Sequence, residues 1–415
     1  MKQNILVGQS GGPTAVINAS LWGVIREAMR CPGEVGRIYG MKYGIEGFLE
    51  DQVLDLTELS GEDLALLKQT PAAYLGSCRF QLPADLQAAV YPQIFEKLER
   101  LGIGSVFYIG GNDSMDTVSK LSQYAARTGS PIRFIGIPKT IDNDLVRTDH
   151  TPGYGSAARY VASMVREIAL DAEVYRQQSV TIVEIMGRHA GWLTAAAALA
   201  RTGRESNPLL IYLPEVPFQT EQFFADLERA FAKRSNVVVC VSEGIADESG
   251  RFLCETQGEA QLDRFGHKML TGCGRVLEQL VRSRLEVKVR SIELNVCQRC
   301  SGMTVSARDQ AEAALAGEAA VRFALAGESG KMVAFSRDGA DPERLDYSAP
   351  YAVTPVAEDV TEICNREKKF PLEWIEKGCD ISPRFLDYAL PLVQGAPSVI
   401  LENGLPRYLR QEENG

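Results

Sequence analysis

The stretch SVFYIGGNDSMDT, residues 105–117, places an apolar run directly before two glycines and a helix-like pattern. The run is rich in β-branched and aromatic residues, and the glycines are typical of a tight turn. A strand, a glycine turn and a helix in this order indicate a parallel sheet covered by helices. Asp113 adds a carboxylate to a turn of the kind that binds phosphate, where a negative charge is unusual.

The same pattern recurs along the chain. The run NILVG at residues 4–8 leads into a glycine turn and then a helix with apolar residues at helical spacing. Further apolar runs bounded by glycine or proline are RFIGIP, SVTIVEIMG, PLLIYLPE, NVVVCVSEG and KVRSIELN. Such continuous runs are typical of strands buried on both faces of a parallel sheet, so the sequence predicts an α/β fold.

Composition excludes several classes of function. The chain has 415 residues, 45% of them hydrophobic, and a formal net charge of −10. This balance gives no general basic face for nucleic acid or a membrane, so an anionic ligand needs a local cluster of cations. Neither the first residues nor the apolar run at 190–200 predicts a signal peptide or a membrane span, and nine cysteines favour free thiols, so we expect a cytoplasmic protein. Two of them form a lone C-x-x-C at 297–300, which we interpret as free thiols.

Polar residues that end the apolar runs should gather at one edge of the sheet. They lie in the segments GQSGGPT (8–14), LGSCRF (75–80), GNDS (111–114), PKTIDND (138–144) and MGRH (186–189), with Glu243 and Arg299 beyond them. Glycines bring backbone N–H groups close to an anion, lysine and arginine supply positive charge, and aspartates offer base or metal-ligand chemistry. Each glycine turn taken alone is an ordinary turn, and no G-K-[ST] follows to make a Walker loop.

Seven ordered motifs resemble those of the phosphofructokinases over essentially the whole chain: SGGPTAVIN, LGSCRF, IGGNDS, PKTIDND, VEIMGR, VSEG and the QR pair at 298–299. The resemblance implies two Rossmann-like lobes with mainly parallel sheets flanked by helices and an active site in the cleft between them. It also implies residues 1–140 as the phosphate-donor lobe, 141–345 as the fructose 6-phosphate lobe and 346–415 as a C-terminal extension packed on the core.

Within the family, the chain resembles the pyrophosphate-dependent branch. ATP-dependent members carry glycine at the positions of Asp113 and Lys139. A carboxylate at 113 would obstruct and repel the α-phosphate of ATP, and a lysine at 139 would supply a compact cation for a donor without a nucleoside. The resemblance therefore implies reversible phosphoryl transfer from Mg²⁺-pyrophosphate to the 1-hydroxyl of fructose 6-phosphate, giving fructose 1,6-bisphosphate and phosphate.

The resemblance also assigns roles to individual residues. Asp142 matches the family's base, and the catalytic set is completed by Lys139, Asp113 and Arg188. The substrate would be bound by Thr140, Asp142, Met186, Gly187, Arg188, Glu243, Arg290, Gln298 and Arg299. Pyrophosphate would contact Gly11, Gly12, Arg79 and Lys139, and magnesium would contact Asn112, Asp113 and Asp144.

Some positions depart from the family's pattern. Ser179 replaces an arginine that crosses the subunit interface in bacterial relatives, Val296 replaces a histidine or tyrosine, and Asn112 replaces an aspartate near the metal. Arg290 matches a residue that reaches across to a neighbouring subunit, which implies a homo-oligomer, dimer or tetramer. Two alternatives stay open at this point: an ATP-dependent 6-phosphofructokinase, and a non-catalytic subunit that binds sugar phosphates.

Overall fold

The computed structural model describes residues 2–203, 206–257 and 272–411. The strands are β1 (Gln3–Gln9), β2 (Val35–Met41), β3 (Val53–Asp55), β4 (Ile103–Gly110), β5 (Arg133–Pro138), β6 (Ser179–Ile185), β7 (Leu210–Tyr212), β8 (Asn236–Ser242), β9 (Lys288–Glu293), β10 (Lys331–Arg337), β11 (Val353–Asp359), β12 (Ile375–Glu376), β13 (Asp380–Ile381), β14 (Leu401–Glu402) and β15 (Leu405–Pro406). The helices are α1 (Ile17–Arg30), α2 (Gly44–Leu49), α3 (Gly61–Gln69), α4 (Val90–Arg100), α5 (Asn112–Thr128), α6 (Tyr154–Ala172), α7 (Trp192–Ala195), α8 (Thr220–Phe231), α9 (Cys273–Arg284), α10 (Cys297–Cys300), α11 (Ala307–Leu325) and α12 (Arg384–Ala389).

The larger sheet has seven strands in the order β11-β10-β5-β4-β1-β2-β3. β1 pairs in parallel with β2 and β4, and β4 pairs in parallel with β5. β10 adds in parallel beside β5, while β3 and β11 are antiparallel to their neighbours. Every residue of β4 is buried, as its continuous apolar sequence predicted.

The smaller sheet has four strands in the order β7-β8-β6-β9, and all its pairings are parallel. All residues of β8 are buried, and helices cover both sheets. The predicted α/β fold with two mainly parallel sheets is confirmed.

The close approach of α1 and α11 depends on glycine. A Cβ atom on Gly23 would lie 2.1 Å from the carbonyl oxygen of Ala314, and a Cβ on Gly317 would lie 2.1 Å from the carbonyl oxygen of Ser20. These helices therefore pack backbone against backbone, which joins the late α11 to the start of the chain. Within the part of the chain that the structure describes, no helix combines the length and apolar character needed to cross a bilayer.

The division of the chain differs at one strand from the predicted boundaries. The prediction gave 141–345 to a second lobe, whereas β10 lies inside the larger sheet beside β5. The predicted extension, 346–415, begins by adding β11 to the same sheet, and its last residues, 412–415, lie outside the described residues. The middle of the extension packs on the smaller lobe, where Trp374 and Tyr388 contact Trp192, whereas Ile400 and Leu409 return to the larger lobe beside Gln69 and Thr70.

Candidate functional site

The turn after β1 forms the first wall of the site. Gly11 has a φ of 75°, a left-handed conformation that favours glycine. Its N–H donates to the carbonyl of Cys78 at 3.1 Å, and the Ser77 hydroxyl donates to its carbonyl at 2.6 Å. The turn is thereby joined to the loop that carries Arg79.

Lys139 lies directly after β5 and is buried against this turn. Its Nζ donates to the carbonyl of Gly12 at 2.6 Å. A Cβ on Gly11 would lie 3.3 Å from that Nζ, and a Cβ on Gly12 would lie 3.5 Å from Nη1 of Arg299. Burial lowers the pKa of Lys139 to about 8, with Arg299 and Arg79 lowering it and nearby carboxylates raising it. The glycine turn is thus bordered by a cluster of cations suited to an anion of high charge.

The loop after Lys139 presents two carboxylates. The N–H of Asp142 donates to Oγ1 of Thr140 at 3.0 Å. Burial raises the pKa of Asp142, and the neighbouring Asp144 raises it further, while Lys139 and Arg188 oppose both effects. Burial also raises the pKa of Asp144. A carboxylate with raised proton affinity is suited to accept a proton from an attacking hydroxyl.

The loops after β6 and β8 form the opposite wall. Gly187 has a φ of 138°, its N–H donates to Oε1 of Glu243 at 3.4 Å, and its carbonyl accepts from the Ser242 hydroxyl. Burial raises the pKa of Glu243 to about 7, Asp142 raises it further, and Arg188 lowers it. The predicted acceptor-side residues and the predicted base therefore share one electrostatic environment.

Gln298 and Arg290 have contacts that the sequence did not indicate. The buried Gln298 accepts from the N–H of Met186 at 3.1 Å and donates to the carbonyl of Asn295 at 2.9 Å, so it holds the loop that carries Met186. Arg290 forms an ion pair with Asp171 at 3.1 Å at the surface. Arg299 joins the cation cluster at the glycine turn, whereas the described contact of Arg290 lies elsewhere. The substrate-binding roles of Gln298 and Arg290 stay predictions.

The predicted metal residues lie on two elements, the first turn of α5 and the loop after β5. Asn112 begins α5, and both polar atoms of its side chain have backbone partners: Nδ2 donates to the carbonyl of Arg366 and Oδ1 accepts from the N–H of Asn365, each at 2.6 Å. Asp113 is exposed in the first turn of the same helix. Among the described residues, no cluster of three or more histidine, cysteine, aspartate or glutamate side chains forms a ready metal site. The metal assignments stay predictions.

Sequence reasoning missed the segment 365–370, NREKKF, which contacts several loops of the site. The N–H of Lys368 donates to the carbonyl of Asp144 at 2.7 Å. The ammonium of Lys369 donates to the carbonyl of His189 at 2.7 Å. The available signal was a run of four charged residues between apolar segments, but nothing in that run indicates which loops it would contact.

Comparison with known proteins gives a consistent result. The sequence profile described as Phosphofructokinase matches residues 4–324. A pyrophosphate--fructose 6-phosphate 1-phosphotransferase of Halomonas elongata is 37% identical over 98% of this chain and 95% of its own. The protein of the same name from Xanthomonas campestris pv. campestris is 39% identical over the same shares. The crystal structure of a pyrophosphate-dependent phosphofructokinase from Marinobacter aquaeolei is 35% identical, covers 98% of this chain and 95% of its own, and superimposes with a TM-score of 0.86.

The first prediction concerns Asp142. The substitution Asp142→Asn preserves size and most hydrogen bonding but removes the proton acceptor, so kcat should fall by roughly 10²- to 10⁴-fold with little change in KM. Steady-state kinetics of the purified variant measures both constants, and the variant's thermal midpoint serves as the control for folding. Turnover equal to that of the unsubstituted protein would make Asp142 only a turn residue.

Proposed function

We propose that this chain, which belongs to the phosphofructokinase family, transfers a phosphoryl group reversibly from Mg²⁺-pyrophosphate to the 1-hydroxyl of fructose 6-phosphate. The products are fructose 1,6-bisphosphate and phosphate. The observation that carries the proposal is the buried ammonium of Lys139, held at the Gly11–Gly12 turn beside Asp142. A cation at this place suits a short, highly charged donor that has no nucleoside to contribute binding energy.

The donor would lie against the cation cluster. Gly11 and Gly12 leave room for its oxygens to approach the backbone, while Lys139, Arg79 and Arg299 offset its charge. Asp113, in the first turn of α5, adds negative charge at a helix N-terminus that would otherwise favour a further phosphate. This carboxylate therefore disfavours ATP, which must extend an α-phosphate and a nucleoside beyond the two phosphates that pyrophosphate also has.

The acceptor sugar would lie between the two walls. Asp142 accepts the proton of the 1-hydroxyl as that oxygen attacks phosphorus, and Thr140 orients the same loop. Glu243 accepts hydrogen bonds from sugar hydroxyls, and the backbone at Met186 and Gly187 lines the sugar's other side. Arg188 neutralises charge on the transferring group. Phosphoryl transfer depends chiefly on such positioning and charge stabilisation, and the arrangement supplies both.

The residues present fit a magnesium ion. Burial and mutual repulsion raise the pKa of Asp142, so a nearby divalent cation would be bound favourably by the loop that carries it. Mg²⁺ prefers oxygen ligands, and Asp144 on the loop after β5 and Asp113 in the first turn of α5 offer carboxylate oxygens. When bound, the ion would neutralise charge on the oxygens of the pyrophosphate.

We further propose that the protein acts as a homo-oligomer. The C-terminal end of α6 and the residues after it expose Leu170, Val174 and Tyr175 to 64%, 69% and 57%. Arg290 forms its ion pair with Asp171, beside these side chains. A second copy of this chain covering the apolar patch would bring Arg290 to the interface, as the family resemblance implies.

A cytoplasmic location fits the cysteines, since all nine lie in described residues and none of them forms a disulfide.

The donor is tested directly by offering purified protein fructose 6-phosphate and Mg²⁺ with either pyrophosphate or ATP. We expect turnover with pyrophosphate to exceed turnover with ATP by at least about 10²-fold, since Asp113 opposes ATP and Lys139 favours a short donor of high charge. The reverse reaction should release pyrophosphate from fructose 1,6-bisphosphate and phosphate. Turnover with ATP alone would reject the donor assignment.

Substitutions at the donor site test the two determinants separately. Asp113→Gly removes charge and bulk and should permit measurable ATP use, whereas Asp113→Asn removes the charge alone and serves as its matched control. Lys139→Met keeps the stem but removes the cation, so kcat with pyrophosphate should fall by about 10²-fold or more without a gain in ATP use. If Asp113→Gly retains full pyrophosphate activity and still ignores ATP, the carboxylate has no part in donor choice.

The oligomer is tested by light scattering after size-exclusion chromatography. The unsubstituted protein should elute as a dimer or larger, and Val174→Glu with Tyr175→Glu should shift it toward the monomer because two charges would be buried. The matched control places one glutamate at Leu401, which is 56% exposed in a distant hairpin. A monomeric unsubstituted protein would contradict the proposal.

A further inference from the structure

The segment 365–370, here called the strap, lies outside residues 4–324, which the family profile matches. Its first part is attached to the start of α5 through Asn112. The N–H of Asn365 donates to Oδ1 of Asn112, and the carbonyl of Arg366 accepts from Nδ2, both at 2.6 Å. The Gly11–Gly12 turn and the start of α5 are here called the donor wall. A side chain of this wall is thus bound to backbone 254 residues away in sequence.

The middle of the strap is attached through Lys368 to the loop after Lys139. This loop, residues 140–151, is here called the catalytic loop because it carries the proposed base. The N–H of Lys368 donates to the carbonyl of Asp144 at 2.7 Å. Its ammonium donates to the carbonyls of Asp149 and Thr148 at 2.8 and 3.2 Å. One partly buried residue therefore holds both ends of the segment 144–149, which begins two residues after Asp142.

The last part of the strap is attached to the loop after β6, which together with the loop after β8 is here called the acceptor wall. The carbonyl of Lys368 accepts from the indole N–H of Trp192 at 2.9 Å. The N–H of Phe370 donates at 2.9 Å to Oε1 of Glu215, which also accepts from the N–H of Gly191 at 2.8 Å. Together with the bond from Lys369 to His189, these contacts fix the loop that follows Arg188.

We propose that the strap holds the donor wall, the catalytic loop and the acceptor wall in one fixed geometry, and that Lys368 and Asn112 are positioning residues for the reaction. The argument is geometric: three segments from different parts of the chain share a single short segment, and its contacts to Asp144, Thr148, Asp149 and His189 are to their backbone carbonyls. Backbone contacts fix where a loop lies, and a displacement of about 1 Å at reacting groups costs on the order of 10²-fold in rate. The effect on catalysis rests on the proposed function, while the mechanical role does not.

The mechanical role is tested by hydrogen–deuterium exchange of the full chain, which needs no substrate. Asn112→Ala removes two contacts at a partly exposed position where folding should survive, and Lys368→Met removes the ammonium but keeps the stem. Both should accelerate amide exchange at residues 140–151, and Lys368→Met also at 186–191. Lys377→Met, at an exposed position of the same extension, is the matched control and should change neither. Unchanged exchange in both strap variants would overturn the proposal.

The catalytic role is tested by the division of effects between kcat and KM. Each strap variant should lower kcat by roughly 10- to 100-fold with KM changed less than about threefold. The double variant should lose no more than about threefold beyond the worse single variant, because both act through one segment, whereas Asn112→Ala with Lys377→Met should be additive. The Mg²⁺ concentration for half-maximal rate should be unchanged in Asn112→Ala, and a large rise would make Asn112 a metal ligand instead.

Failure of the two proposals can be told apart. If the unsubstituted protein shows no turnover with pyrophosphate, the proposed function fails while the exchange result still decides the strap. If turnover is found but the strap variants keep full kcat, the strap only anchors the C-terminal extension, and its role in the reaction is overturned.

Discussion

The hydrogen bond from the ammonium of Lys139 to the carbonyl of Gly12 is the contact around which the site is organised. A lysine with 3% exposure keeps its charge only where carbonyls or carboxylates replace water. Here the replacement comes from the Gly12 carbonyl and from Asp142 and Asp144. The end of β1, the end of β5 and the catalytic loop must therefore converge, and this is where we propose that a charged donor binds.

The carboxylates depend on the cations in the same way. Burial raises the pKa of Asp142, Asp144 and Glu243. Asp144 raises the pKa of Asp142 further, and Asp142 raises the pKa of Glu243 further. Lys139 and Arg188 oppose this at Asp142. An incoming anion would add negative charge to the same space, so a donor that arrives with a divalent cation costs less electrostatic free energy than a bare one. The arrangement of charges on these loops thus favours binding of a metal-bound phosphate donor over binding of the free anion.

The sequence predicted most of the fold and the central part of the site because both follow from one repeated local pattern. Gly11, Lys139 and Glu243 each come just after a buried strand, so the pattern predicted that they lie at the carboxyl ends of the strands in the two sheets. It could not predict that β10 returns to the first sheet, since that depends on the packing of α11 against α1 through Gly23. The sequence could not predict the hydrogen bonds from Asn112 to Asn365 and Arg366 or from Gln298 to Met186 either, because they join segments far apart in the chain.

The part of the extension from Phe370 to Leu392 belongs to the core of the smaller lobe and packs beside the candidate site. Trp192, which begins α7, packs edge-on against Phe370 and Trp374, and Tyr388 lies within the same aromatic cluster. The phenol of Tyr388 accepts from Asn143, which lies between the two catalytic-loop aspartates, and donates to the carbonyl of Asp149. Asn143 also adopts a left-handed φ of 54°, which few residues other than glycine tolerate as well as asparagine. The conformation that presents Asp142 is therefore fixed by aromatic packing from the far end of the chain, so the extension and the catalytic loop form one structural unit.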